Sequence, residues 1–118
     1  MINIISSSRY KINRNKIKKT VSDFFVKKNL DESHMVNIVF VGKNKMKSIA
    51  TTYKNEPVAL PVLSFPYQEK QADGKIFLGE VFLCYPQVVL LAAERNKKVE
   101  ETINSLLIHG LENLMPNL

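Results

Sequence analysis

Apolar positions recur along the chain with two different periods. Ile2 to Ser6 is a short β-branched run and predicts a first strand. After it Ile17, Val21, Phe24 and Phe25 return at helical spacing, with Asn13 or Asn15 as cap and Lys16, Lys19 and Lys27 opposite, which predicts a helix ending near Asn29. Met35 to Val41 (MVNIVFV) predicts a second strand, closed by Gly42, with His34 left in the loop before it. Asn44 then opens a second helix marked by Met46, Ile49, Ala50 and Tyr53. Pro57, Pro61 and Pro66 exclude a continuous helix, and Pro61 to Phe65 reads as a short edge or terminal strand. The polar stretch Tyr67 to Lys75, with Asp73-Gly74 as turn signal, reads as a loop. Ile76 to Cys84 (IFLGEVFLC) predicts another strand, in which Gly79 marks a bulge or a close backbone approach. Pro86 suits the first turn of a helix from Gln87 to about Glu94.

Val99 to Leu118 carries the longest apolar helical pattern. Val99, Ile103, Leu106, Leu107, Gly110 and Leu114 share one face, and Ile108, Leu111 and Met115 widen it, so this helix is expected to be central and buried on several sides. His109 and Asn113, four apart, point together from its flank. Metal-binding helices place two histidines at this spacing, but here the second position holds an amide, and on these residues alone His109 reads as a partly buried histidine at the core edge. The element order β-α-β-α-β-β-α-α predicts an α+β fold, close to an α/β sandwich, with a mixed four-stranded sheet in one domain, residues 1–118.

Charge adds a direction that the periodicity lacks. Of a net charge of +6, residues 1–30 hold eight basic side chains against Asp23 alone, while the rest of the chain has nine basic against ten acidic. A basic first helix points to an anionic partner such as nucleic acid; plain solvation of its lysines is the competing reading. Cys84 is the single cysteine, which excludes an internal disulfide and a thiolate metal cluster and leaves a small apolar strand residue. With no apolar run long enough for a bilayer and no secretion-type start, the expected location is the cytoplasm, away from membranes.

Three separated segments, in one order, carry a family likeness. Tyr53-Lys54 followed by Val62-Leu63-Ser64-Phe65-Pro66 resembles Y-R-x-K-D-x-P-T-D-V-L-S-F-P, Leu78-Gly79-Glu80-Val81 resembles an L-G-D-I strand, and Ile108-His109-Gly110-Leu111 resembles the opening of H-G-x-L-H-L-x-G-x-D-H. Together they resemble the YbeY family of ribosomal-RNA maturation endoribonucleases. The resemblance implies zinc-dependent cleavage of single-stranded ribosomal RNA, with three histidines holding the ion and a metal-bound water as nucleophile. It places His109 at the first ligand, Asn113 at the second, Pro116 at a glycine and Leu118 at an aspartate, and the third histidine falls one position past Leu118. Lys54 takes the position of the family arginine, keeping its charge without the planar fork, and Leu60, Pro61 and Glu80 stand for Thr, Asp and Asp.

With His109 as the only strong donor, zinc binding by this chain as written is expected to be weak or absent. RNA, as ribosomal RNA or a ribosomal subunit, is the implied partner, with Lys16, Lys19, Lys27 and Lys54 as the binding cations. The alternatives are a metal-free RNA- or ribosome-associated module and a truncated fragment with no nucleic-acid role. A metalloprotease lacks its base, because Gly110 follows His109 where H-E-x-x-H needs glutamate.

Overall fold

A computed structural model describes residues 1–115. Its elements run β1 (Ile2–Ile5), α1 (Arg14–Lys27), β2 (His34–Val41), α2 (Lys43–Lys54), β3 (Val62–Lys70), β4 (Ile76–Cys84), α3 (Tyr85–Glu94) and α4 (Val99–Asn113). The sheet order is β1-β2-β4-β3; β1, β2 and β4 are mutually parallel and β3 is an antiparallel edge strand. This is the mixed four-stranded α+β architecture expected from the element order.

Strand alternation divides the sheet into two unequal faces. Val36, Ile38 and Phe40 of β2 with Leu78, Val81 and Leu83 of β4 form one side and join the main core with Val21 and Phe24 of α1, Val88 of α3 and Leu107 and Leu111 of α4. The other side carries Val39, Val41, Leu63, Phe65, Phe82 and Cys84, covered in part by Met46, Ile49 and Ala50 of α2. Helix α4 packs against α1, α3, β3 and β4 and is the central helix of the main layer. Its close approach depends on Gly110: a Cβ there would stand 2.6 Å from Val81 Cγ1. The Ser64 hydroxyl donates to the Gly110 carbonyl at 2.8 Å, tying α4 to β3.

Gly79 is the pivot between the strands. Its φ is +145°, and a Cβ would meet the Phe65 carbonyl oxygen at 2.1 Å, so both backbone conformation and close approach require glycine. Register slips on both sides of it, between Met35 and Val36 on β2 and between Pro66 and Glu69 on β3. Gln68, in that slip with φ of +50°, turns its amide to donate to the Leu114 carbonyl at 3.0 Å, joining the edge strand to the end of α4.

Several local expectations change. The stretch from Tyr67 is strand before it is loop: β3 continues past Pro66 to Lys70, because an edge strand with a solvated face accepts polar residues and tolerates proline at a bulge, and the turn at Asp73-Gly74 follows. His34 is not in the loop but begins β2, with Nδ1 3.0 Å from Oδ1 of Asp31, a carboxylate three residues back. Helix α2 starts at Lys43 with Gly42 as cap in place of Asn44, and Tyr53 on it is 67% exposed, because α2 covers only part of its face of the sheet. Helix α3 begins two residues early, at Tyr85. Helix α4 ends at Asn113, and Ile108, expected in its apolar surface, is 41% exposed.

Candidate functional site

On α4, the buried residues Leu107, Gly110 and Leu111 press one arc to the sheet and leave His109 and Asn113 on the open flank. His109 is therefore exposed; it is not at the core edge, because α3 and α1 close over other parts of the helix. The two side chains do meet across one turn, with Asn113 Nδ2 3.4 Å from His109 Nε2. With the ring proton on Nδ1, the amide N–H points at the lone pair a metal would use. The donor set does not fit zinc: one imidazole and one amide lack the nitrogen and charge this ion prefers. Among the described residues no three His, Cys, Asp or Glu side chains could share an ion. Pro116 and Leu118, the positions matched to the family's glycine and aspartate, lie outside the described residues.

The basic side chains separate into two groups. On α1, Lys16 reaches Glu100 of α4 at 3.5 Å and Lys19 reaches Asp23 at 3.0 Å, while Lys27 forms no ion pair among the described residues. Lys28 pairs with Glu112 at 3.2 Å, and Thr20 hydrogen-bonds Asn104, so polar contacts lace α1 to α4. The Lys16 and Lys19 pairs are exposed, hence weak and replaceable by other anions, whereas Lys28 is largely covered in its pair with Glu112. Lys54 closes α2 and is exposed; it lies with α2 over the opposite face of the sheet from α4, and the fold does not bring it beside His109 through any hydrogen bond or ion pair. Helix α2 also carries Lys43, Lys45 and Lys47 and no acidic residue, and none of its four lysines forms an ion pair among the described residues.

The α2 face of the sheet holds a constellation that joins Glu80 of the Leu78–Val81 segment to polar residues outside any motif. Asn3 Nδ2 donates to Asn37 Oδ1 at 3.0 Å, Asn37 Nδ2 donates to Glu80 Oε2 at 3.2 Å, and the Tyr67 hydroxyl donates to Glu80 Oε1 at 3.5 Å. One polar row thus crosses all four strands. Burial, then the Glu80 charge, push the Tyr67 phenol above its ordinary value. Beside the row an open groove of about 210 Å³ is lined by Lys45, Tyr53, Phe65, Tyr67, Glu80 and Phe82. The signal in the sequence was Asn3 and Asn37, each a lone amide inside a β-branched run. Cys84, fully buried with its thiol pushed up by burial, is inert packing.

Fold and site together define a class: an α+β protein with a mixed four-stranded sheet and a central terminal helix. A solution structure of a protein from Thermotoga maritima shares this fold, with a TM-score of 0.66 and 24% identity, over 97% of this chain and 71% of that one. The family model described as Endoribonuclease YbeY matches residues 3–115, and the chain belongs to that family. Similar proteins named Endoribonuclease YbeY include those of Thermodesulfovibrio yellowstonii, 32% identical over 69% of this chain and 51% of the relative, and Phytoplasma australiense, 32% identical over 72% and 60%. A third, from Malacoplasma penetrans, is 27% identical over 84% of this chain and 66% of its own. The chain thus spans about half to two thirds of the length of these relatives.

Proposed function

We propose that this chain works in ribosomal-RNA maturation as a YbeY-type endoribonuclease acting on single-stranded RNA. The observation that carries the reading is the family match over residues 3–115, on a fold that keeps the His109 and Asn113 flank open to solvent. Lys16, Lys19, Lys27 and Lys54 are assigned to phosphate contacts and His109 to the reacting flank. The cytoplasm, where ribosomal RNA is processed, is the proposed location; no described helix is long and apolar enough to cross a membrane. His109 and Asn113 by themselves do not make a zinc site.

One observation favours a second reading. Asn113 in the second-donor position, hydrogen-bonding toward the imidazole, suits a metal-free module that holds RNA or a ribosomal subunit without cutting it. Incubation with a single-stranded ribosomal RNA fragment, with added zinc or with chelator, separates the two when binding and cleavage are read together. The endoribonuclease reading expects cleavage that His109→Ala removes. Tight binding without cleavage selects the module, and neither binding nor cleavage contradicts both.

A further inference from the structure

We propose that the groove between α2 and the open face of β3 and β4 is a nucleobase-stacking subsite for single-stranded RNA, with Glu80 reading the base and Lys45 holding its phosphate. The inference rests on the RNA-handling reading above and adds to it a second surface, on the opposite side of the sheet from His109. Tyr53 and Tyr67 are 67% and 51% exposed, large aromatic faces that the fold has not buried. They are held in place and not free: Tyr53 packs edge-on to Phe65 with centroids 5.2 Å apart, Phe65 packs edge-on to Phe82 at 5.6 Å, and Tyr67 stacks on Phe77 at 5.4 Å. Rigid aromatic platforms beside cations are what unstacked bases bind, since every base has a π-face.

Charge complementarity selects the occupant. Helix α2 has no acidic residue, and its Lys45 lines the groove as a contact for a phosphate, while Lys43, Lys47 and Lys54 stand on the helix's other flank. Lys45 and Glu80 line the same groove yet form no ion pair, so the cation and the carboxylate are both available. An ionised carboxylate only accepts hydrogen bonds and has about four lone-pair sites, of which Asn37 and Tyr67 use two. The rest suit an exocyclic amine such as the cytosine N4 group, and not the carbonyl edge of uracil. At about 210 Å³ the groove is smaller than the roughly 300–1,000 Å³ of sites that enclose a whole small molecule, which fits one planar group carried on a strand.

The test uses fluorescence anisotropy with short labelled single strands of cytidine, of uridine and of abasic sugar-phosphate, against the whole chain. Tyr53→Ala with Tyr67→Ala, both at exposed positions so that circular dichroism should be unchanged, is expected to weaken cytidine-strand binding about tenfold or more while leaving the salt slope intact. Lys45→Gln should instead reduce that slope by about 0.7. Glu80→Gln should erase the preference for cytidine over uridine. The proposal is overturned if the double variant binds within about twofold of the parent, or if the abasic strand binds as tightly as cytidine. It is also overturned if the parent self-associates in sedimentation and the double variant does not, which would give the face to a second copy of the chain. If cytidine strands bind the parent and only Lys16, Lys19 and Lys27 changes weaken them, this subsite fails while RNA handling stands. If no strand binds the parent, both fail.

Discussion

At residue scale, Asn113 limits what the exposed flank of α4 can hold. Excess zinc should shift the parent melting temperature little, because a ligand stabilises only in proportion to its binding. Asn113→His places a second imidazole one turn from His109 and should enlarge that shift, read by scanning calorimetry with and without zinc. An equal shift in both proteins would mean that Asn113 is not at a donor position. Asp31 makes a second local prediction. The Ser33 hydroxyl and backbone N–H donate to its carboxylate, and His34 Nδ1 lies 3.0 Å away, holding its carboxyl below the usual 3.8. A depressed carboxyl adds stability above its unfolded value and loses it as pH falls through the folded one. Asp31→Asn should therefore lower the melting temperature near pH 6, and the gap from the parent should close well below pH 3.8. A gap constant across that range would show that the turn draws nothing from the charge.

At the scale of elements, α4 is held by what it lacks as much as by what it buries. Gly110→Ala drives a methyl to 2.6 Å from Val81 Cγ1 and should cost about 1–3 kcal/mol by overpacking, whereas Leu107→Ala, at a fully buried position, should cost about 2–5 kcal/mol. Denaturant unfolding measures both; losses under about 1 kcal/mol would make α4 peripheral. Elements were legible where one period dominated: Ile17, Val21, Phe24 and Phe25 all line the buried side of α1, and Ile76–Cys84 is β4 with its irregularity at Gly79. The far half of β3 was not legible, because Tyr67 to Lys70 is polar and its strand character comes from pairing with β4. The exposure of His109 was lost for a related reason. A helical wheel gives the direction of a side chain but not how far neighbouring helices extend over it.

For the whole molecule, the sheet register accounts for what the sequence hid. Asn3, Asn37 and Glu80 are distant in the chain and become a row only because β1, β2 and β4 pair as they do. The resemblance carried by Tyr53-Lys54, Val62–Pro66, Leu78–Val81 and Ile108–Leu111 led to the family, and that assignment holds over residues 3–115. The cations illustrate the limit of a charge count. The N-terminal excess on α1 is partly engaged by Glu100, Asp23 and Glu112, while the lysines of α2, masked in the overall balance by acids elsewhere, are left unengaged among the described residues. An RNA strand would then draw on both helices. Changing Lys16, Lys19 and Lys27 together to Gln should flatten the salt dependence by about two units if all three touch phosphate.

The central claim is that this fold handles single-stranded RNA, and a salt titration of that binding tests it most directly. Anisotropy of a labelled single-stranded ribosomal RNA fragment should show saturable binding, with the logarithm of affinity falling linearly with that of salt at about 0.7 per phosphate contact. No saturable binding at low salt, or an affinity indifferent to salt, would contradict the account.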